Sequence, residues 1–277
     1  MAPIEHILPN QQNIFQSQRW FDRSGNAFKF KNNKSKFYHL HIPKTAGNYI
    51  RSELTYALEE SFADNDIAFV VGHLGWTEYI DEKTFIFNTL RDPVKRTVSH
   101  FVFMIRMQAY QQEGVVVEDL NNPSPSELMS WLDYCPNFIN NYQSKNFLFN
   151  APLFVDPAEV LDVPNNIFFF KEPKFLNMEI EPEKVLDRAK RVDIQLRDTQ
   201  LTSENMMLVK EDIFADFGIK ESERKHPMAE EKWHNITDGS KKLYESLSQS
   251  EIDNIYERNR LDAEIYFTDS LFWKGGK

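Results

Sequence analysis

A short apolar run that ends in a basic turn constrains the fold more than any other feature of the chain. Residues 37–42 are apolar or aromatic apart from two histidines, and Pro43 separates them from the turn Lys44-Thr-Ala-Gly47. This pattern predicts a buried strand, a tight turn and a helix that opens after it. The start of a helix presents unpaired backbone N–H groups and a partial positive charge, so the turn is suited to an anion. It is not a Walker A loop, because that motif needs a glycine directly before Lys44.

A second basic segment follows the strand predicted at Phe85–Leu90. This apolar run is typical of a strand buried on both faces of a parallel sheet. Asp92 and Pro93 supply a capping oxygen and a first helical residue. Apolar residues then recur at helical spacing, at Val94, Val98, Phe101, Val102 and Ile105. Arg91 is thus left at the carboxyl end of the strand, with Ser99 about two turns into the helix, and both groups suit a phosphate.

Between these segments, residues 67–72 form a third apolar run that ends at Gly72-His73. In open parallel sheets, ligands bind beyond the carboxyl ends of the strands. We therefore expect His73 to reach the same crevice as Lys44 and Arg91. A histidine with a pKa near neutrality can take a proton from an alcohol, so His73 is the predicted general base. His100, beside Ser99, is a second candidate for the site, and packing in the core is the alternative for it.

Together the three segments resemble the PAPS-dependent sulfotransferases, whose donor is 3′-phosphoadenosine 5′-phosphosulfate (PAPS). The run Pro43-Lys-Thr-Ala-Gly47 is similar to the 5′-phosphosulfate loop of the family. Arg91-Asp-Pro, with Ser99 eight positions after the arginine, is similar to its 3′-phosphate motif. The Gly72-His73 segment looks like the one that carries the base in heparan sulfate 2-O-sulfotransferase and related carbohydrate enzymes. The resemblance implies an α/β, P-loop-like sulfotransferase fold with a central parallel sheet flanked by helices.

The resemblance also implies a role for each residue of the two motifs. Lys44 would neutralise charge on the bridging oxygen of the departing nucleotide, and Arg91 and Ser99 would hold the 3′-phosphate. The 5′-phosphate would meet the Thr45 hydroxyl and the backbone N–H groups of the loop. These N–H groups belong to Thr45, Ala46, Gly47 and Asn48. Many family members carry Thr or Ser in place of Asn48, but an amide also donates to phosphate.

Two later segments contain further predicted contacts. In sulfotransferases a late loop with basic residues folds over the nucleotide, so Arg224 or Lys225 is expected to cover it. Residues 137–146 resemble a segment that runs near the acceptor in carbohydrate sulfotransferases, which makes Gln143 and Lys145 candidate acceptor contacts. A solvated loop or surface helix is the alternative for each segment.

Composition and charge limit the partners and the compartment. A net charge of −10 disfavours a nucleic-acid partner or a long polyanionic acceptor, since either usually meets a basic face. We expect a hydroxyl-bearing acceptor, such as a carbohydrate or another small molecule. Sulfuryl transfer needs no metal ion, and the usual zinc and magnesium motifs are missing. One cysteine, no signal-like start and no long apolar window predict a cytoplasmic protein without a membrane span.

The chain, residues 1–277, is predicted to be one sulfotransferase domain. It is divided into an N-terminal extension over 1–35, a PAPS-binding core over 37–106 and an acceptor-side insertion over 107–150. Further elements are predicted as helices near 46–62, 124–134, from Pro182 and over 248–267, and as a strand at 166–170.

Three functions from different classes fit this sequence. The first is a PAPS-dependent O-sulfotransferase that works by in-line displacement with His73 as base. The second is a P-loop-like kinase that uses ATP and magnesium, which would leave Arg91 and Ser99 without a 3′-phosphate. The third is a catalytically silent nucleotide-binding protein. The sequence leaves the acceptor, its reacting hydroxyl and the oligomeric state open.

Overall fold

The structure, a computed structural model, describes most of the central and C-terminal parts of the chain. The described residues are 36–42, 44–50, seven positions between 53 and 67, 68–72, 75, 76, 80–106, 117–134, 136–148, 178–224 and 238–275. The predictions for residues 1–35, the strand at 166–170, His73 and Lys225 lie outside this part. The side chain of Asn48 also lies outside it, although its backbone is described.

A sheet of parallel strands forms the centre of the described chain. In chain order the strands are β1 (Lys36–Leu40), β2 (Ala68–Gly72), β3 (Thr84–Leu90) and β4 (Ile194–Arg197). Their spatial order is β2-β1-β3-β4, and every neighbouring pair is parallel. Leu40 aligns with Gly72 on one side and with Asn88 on the other. The strands β1, β2 and β3 therefore end at the same edge of the sheet, as the sequence predicts.

Helices flank the sheet, which confirms the α/β class. They are α1 (Gly47–Ile50), α2 (Pro93–Arg106), α3 (Pro125–Tyr134), α4 (Pro136–Ile139), α5 (Tyr142–Leu148), α6 (Pro182–Lys190), α7 (Ser203–Phe217), α8 (Asp238–Ser246), α9 (Gln249–Arg258) and α10 (Arg260–Phe267). Short 3-10 helices span Asp198–Gln200, Glu221–Glu223 and Asp269–Leu271. None of the helices in the described part is both long enough and apolar enough to span a membrane.

Alternate residues of the strands face two separate apolar clusters, because side chains alternate along a strand. In β3, Ile86 and Leu90 face the first cluster, and Phe85 and Phe87 face the second. Helix α2 packs into the first cluster through Val94, Val98, Phe101, Val102 and Ile105, as predicted. The predicted apolar face of the helix after β1 packs into the second, through Ile50, Leu54, Leu58 and Phe62. All of β3 is buried, as expected for a strand covered on both faces.

The sequence signals for the starts of α2 and α3 are confirmed. Asp92 Oδ1 accepts a hydrogen bond from the backbone N of Lys95 at 3.0 Å, and Pro93 begins helix α2. At the start of α3, the Glu127 carboxylate accepts from the backbone N of Ser124 at 2.6 Å. The Ser124 hydroxyl accepts in return from the backbone N of Glu127 at 3.3 Å. This exchange is the predicted capping box.

Two parts of the structure differ from the sequence-based expectation. The helix expected over residues 248–267 is divided at Asn259 into α9 and α10. The Asn259 side chain accepts from the backbone N of Asn141 at 3.0 Å, so the break is used to contact a distant segment. Strand β4 is not predicted from the sequence, because four residues carry too little pattern. Its pairing with the end of β3 defines it.

Candidate functional site

The loop that follows β1 has a strained backbone held by a side chain from β3. Lys44 and Ala46 have φ angles of 69° and 73°, a left-handed conformation that costs a non-glycine residue roughly 1–2 kcal/mol. The buried Thr45 hydroxyl donates to the carbonyl oxygen of Ile42 at 2.8 Å. Thr89 on β3 donates through its hydroxyl to the carbonyl oxygen of Thr45 at 3.0 Å. These bonds fix the loop against the sheet and offset part of the strain.

The Thr45 hydroxyl is predicted to contact a 5′-phosphate, but its hydrogen bond to Ile42 limits what it can donate. A hydroxyl has one proton to donate, and the Thr45 proton is directed to the carbonyl oxygen of Ile42. In this arrangement the hydroxyl oxygen can only accept further hydrogen bonds, whereas a phosphate needs donors. An anion at this loop would therefore meet the backbone N–H groups and Lys44 as its donors.

Arg91 lies beside this loop, at the carboxyl end of β3. Its Nη1 donates to the carbonyl oxygen of Lys44 at 3.3 Å, and its Nε is 3.9 Å from Asp198 Oδ2. Burial lowers the pKa of Arg91, and the carboxylates of Asp198 and Asp92 oppose that shift. The side chain of Arg91 remains 28% exposed. The two basic motifs of the sequence thus meet at one edge of the sheet.

The ammonium group of Lys44 reaches the helix that carries Ser99. Its Nζ lies 4.4 Å from the centre of the Phe103 ring, a distance at which a cation is attracted by the ring face. Phe103 lies one turn beyond Ser99 on the same side of α2, because residues four apart on a helix are neighbours. Ser99 itself is buried. The structure therefore brings Lys44 and Arg91 together, with Ser99 buried one turn from the ring that Lys44 contacts.

A second arginine lies buried on α2, near Arg91. The Arg96 guanidinium stacks on Tyr142, with its Cζ 4.2 Å from the ring centre. Its Nε and Nη2 make no hydrogen bond to any described residue. Burial lowers the pKa of Arg96 to about 10, and Tyr142 and Asp262 oppose the shift. Arg96 is thus a buried cation whose N–H groups are only partly used in hydrogen bonds to described residues, and the sequence analysis does not single it out.

His100 is buried in the core. Packing in the core is the alternative to a site role that the sequence analysis gives for this histidine. Its Nδ1 lies 3.2 Å from Nη1 of Arg96, so the ring nitrogen accepts from the guanidinium. Burial, together with the charges of Arg96 and Lys44, lowers the pKa of His100 well below its usual value. The imidazole is therefore neutral at physiological pH, and its edge packs against Trp131 and Tyr142.

The side-chain amide of Gln143 holds the backbone of Arg91. Its Oε1 accepts from the backbone N of Arg91 at 2.9 Å, and its Nε2 donates to the carbonyl oxygen of Arg91 at 2.8 Å. Gln143 is 1% exposed. Both polar ends of the amide are thus engaged by Arg91. Gln143 supports the arginine, and its predicted acceptor contact stays a prediction.

Helix α10 in turn holds Gln143. The buried carboxylate of Asp262 accepts from the backbone N of Gln143 at 2.9 Å and of Ser144 at 2.7 Å. It therefore caps the start of α5 from a distant part of the chain. Asn141 caps α10 reciprocally, since its Oδ1 accepts from the backbone N of Leu261 at 2.9 Å. Burial raises the pKa of Asp262, and the hydrogen bonds that it accepts oppose the shift.

Of the two remaining predicted basic residues that the structure describes, Lys145 is buried and Arg224 packs against helix α7. Lys145 is buried on α5, and burial lowers its pKa to about 8 although Asp262 opposes the shift. The Arg224 guanidinium pairs with Glu211 and lies 5.1 Å from the Phe214 ring, so it packs on α7. None of the contacts described for Arg224 is with the loop after β1. Its predicted role over the nucleotide stays a prediction.

Thr89, Asp198 and Asp262 are site residues that the sequence analysis misses. Thr89 could have been found, because it lies two positions before Arg91 and so on the same side of the strand. Asp198 follows the short strand β4, which has no clear pattern of its own. Asp262 is 118 residues from Ser144, whose backbone it caps, and nothing local indicates that contact.

No His, Cys, Asp and Glu side chains of the described ranges form a group of three or more that could hold a metal ion. Searches against family models, curated proteins and solved structures find no match for the chain. The site is therefore described by its geometry: the carboxyl edge of a parallel sheet brings Lys44 and Arg91 together, and the adjoining helix α2 carries the buried Ser99 and Arg96.

Proposed function

We propose that the protein is a PAPS-dependent O-sulfotransferase with a P-loop-like sulfotransferase fold. It would transfer a sulfuryl group to the hydroxyl of an acceptor, with a carbohydrate as the expected class. The observation that carries the proposal is the 3.3 Å contact between Arg91 Nη1 and the carbonyl oxygen of Lys44. This contact joins the two anion-binding motifs, so a single ligand with two anionic groups can span them. A nucleotide phosphorylated at both the 5′ and 3′ positions is such a ligand.

The charges of the site fit a ligand with two anionic groups. Lys44, Arg91 and Arg96 are close enough that their charges lower the pKa of a neighbouring basic group. Burial also lowers the pKa of both arginines, which means that their charged forms are poorly solvated. A phosphate would favour those charged forms and offset the penalty. The N–H groups of Arg96 that bond no described residue add to the positive potential.

In this proposal the residues of the chain hold the donor and move one proton. The Lys44 ammonium would stabilise charge that develops on the bridging oxygen of the leaving nucleotide. Arg91 and Ser99 would hold the 3′-phosphate, a group that ATP and ADP lack. His73, which lies outside the described residues, would accept the proton of the acceptor hydroxyl. PAPS supplies the sulfuryl group.

The first test compares the melting temperature with adenosine 3′,5′-bisphosphate, with ADP, and with ATP plus magnesium. A ligand at 100 times its dissociation constant stabilises a fold by about 2.7 kcal/mol, which gives a clear shift. We expect a shift with the 3′-phosphorylated nucleotide alone. A shift only with ATP and magnesium would favour a kinase and refute the roles of Arg91 and Ser99.

The second test separates an enzyme from a silent nucleotide-binding protein. Turnover is measured with PAPS and a panel of carbohydrate and small hydroxyl acceptors. His73→Ala should lower the rate about 10²-fold or more, while the melting shift with adenosine 3′,5′-bisphosphate persists. Unchanged turnover would remove His73 from the mechanism. Nucleotide binding without turnover on any acceptor would support the silent alternative.

A further inference from the structure

An exposed aromatic ring lies at the end of α10, near the proposed phosphate site. Phe267 is 59% exposed, although phenylalanine is most often buried. Its ring centre is 5.2 Å from that of Tyr266, edge to face, and 6.0 Å from that of Tyr256. We call Tyr256, Tyr266 and Phe267 the aromatic shelf. A single exposed ring needs no explanation, so its connection to Arg91 decides whether it has a function.

Both tyrosines of the aromatic shelf are bound to carboxylates that flank Arg91. The Tyr256 hydroxyl donates to Asp92 Oδ2 at 2.6 Å, and Asp92 follows Arg91 directly in the chain. The Tyr266 hydroxyl donates to Asp198 Oδ1 at 2.7 Å. The other oxygen of Asp198 is 3.9 Å from Nε of Arg91. Two carboxylates near Arg91 therefore connect the aromatic shelf to the arginine.

Further contacts order the aromatic shelf. Arg197 Nε donates to the carbonyl oxygen of Tyr266 at 2.8 Å, and its Cζ lies 4.1 Å from the centre of the Phe272 ring. The rings of Tyr266 and Phe272 meet edge to face at 6.2 Å. Tyr266 is buried, whereas the neighbouring ring of Phe267 is exposed. A surface that is already ordered loses little conformational entropy when a flat ligand stacks on it.

The charges around the aromatic shelf indicate the kind of group that it can bind. Asp92 and Asp198 lie at its tyrosine hydroxyls, so a second anion would be repelled there. An uncharged aromatic ring would not be repelled, and it would gain contact with the exposed face of Phe267. The base of a nucleotide is an uncharged aromatic ring of this kind, and every base has a π face that can stack on an aromatic side chain.

We propose that the aromatic shelf binds the purine base of the donor nucleotide, with Phe267 as the stacking ring. The inference rests on the proposed function, since it takes a 3′-phosphate at Arg91 as the anchor of the ligand. In a nucleoside 3′,5′-bisphosphate a single ribose joins the base to that phosphate. The base must therefore lie close to the residue that holds the phosphate, and the aromatic shelf is connected to that residue through Asp92 and Asp198.

The test uses the full chain and calorimetric titration with two ligands, adenosine 3′,5′-bisphosphate and the methyl riboside 3,5-bisphosphate that lacks the base. Phe267→Ala should lower the affinity for the adenosine ligand about tenfold or more, in the range of one lost stacking contact. It should leave the affinity for the base-free ligand unchanged. Phe267→Trp, which keeps an aromatic face, should bind the adenosine ligand at least as tightly as the wild type.

Tyr134→Ala is the matched control, because it removes a ring of similar exposure at the end of α3. It should change neither affinity. If the wild type binds the adenosine ligand and Phe267→Ala binds it equally well, the aromatic shelf is not the base site and the proposed function stands. Equal wild-type affinity for the two ligands would overturn the inference in the same way. If the wild type binds neither ligand, the proposed function fails and the inference with it.

Discussion

The substitution Gln143→Leu keeps the approximate size of a buried side chain but removes both hydrogen bonds to the backbone of Arg91. It leaves the part-buried backbone N–H and carbonyl groups of Arg91 without these hydrogen bonds. Each such group costs about 1–3 kcal/mol when it loses its hydrogen bond. We therefore expect the free energy of unfolding to fall by about 2–5 kcal/mol, with the two losses partly relieved by local movement.

The same substitution should affect ligand binding in a selective way. Gln143 fixes the backbone of Arg91, from which the guanidinium reaches the loop carbonyl of Lys44. Once that backbone is free to move, the guanidinium no longer holds its position for a 3′-phosphate. We expect the affinity for adenosine 3′,5′-bisphosphate to fall about tenfold, equivalent to about 1.4 kcal/mol. The affinity for adenosine 5′-phosphate, which lacks the 3′ group, should stay nearly unchanged.

Urea denaturation measures the change in stability, and calorimetric titration measures the two affinities. Gln195→Leu is the matched control, because Gln195 is also a buried glutamine. Its amide contacts Asn88 at 3.3 Å and the carbonyl oxygen of Leu271 at 3.4 Å, away from the proposed phosphate contact. The control should lower stability without changing the ratio of the two affinities. An unchanged ratio in Gln143→Leu as well would refute a positioning role for Gln143 and leave it a purely structural residue.

Three further predictions follow from the buried groups of the site. Burial keeps His100 neutral in the folded protein. Below pH 6.5 this histidine therefore gains a proton only in the unfolded chain, so the free energy of unfolding falls as the pH falls. His100→Gln should remove up to about 1.4 kcal/mol per pH unit from that slope in denaturation curves at pH 5 and 6, and an unchanged slope would contradict a neutral His100. The pKa of Lys145 is lowered from 10.5 to about 8 in the folded protein. As the pH rises, the Lys145 ammonium therefore loses its proton in the folded chain before it does so in the unfolded chain. The free energy of unfolding consequently rises between about pH 8 and pH 10.5. Lys145→Met should be more stable than the wild type at pH 7, by roughly 1–2 kcal/mol after solvent screening, and should lose this advantage above pH 10.5; parallel pH profiles would count against it. Thr45→Val should lower the free energy of unfolding by about 1–2 kcal/mol because it removes the bond to Ile42, and Thr45→Ser should restore it in the same urea assay. A Thr45→Val protein as stable as the wild type would show that the loop does not need this bond.

The sequence alone predicts the elements that carry Lys44 and Arg91. The apolar run of β3, the cap at Asp92 and the helical spacing of α2 are properties of consecutive residues, so they can be recognised without tertiary structure. The parallel arrangement follows as well, because buried strands that alternate with helices favour parallel pairing. From these elements alone, Arg91 is placed at the edge of the sheet where the loop after β1 also opens.

Only the tertiary structure shows what supports those residues. The clamp on Arg91 comes from Gln143, 52 positions away, and the cap on that helix comes from Asp262, more than a hundred positions further along the chain. A hydrogen bond between a side chain and a distant backbone leaves no periodic pattern in either segment, so each segment by itself is compatible with a surface helix. Folding decides these contacts because burial leaves the polar groups of both segments with only each other as partners.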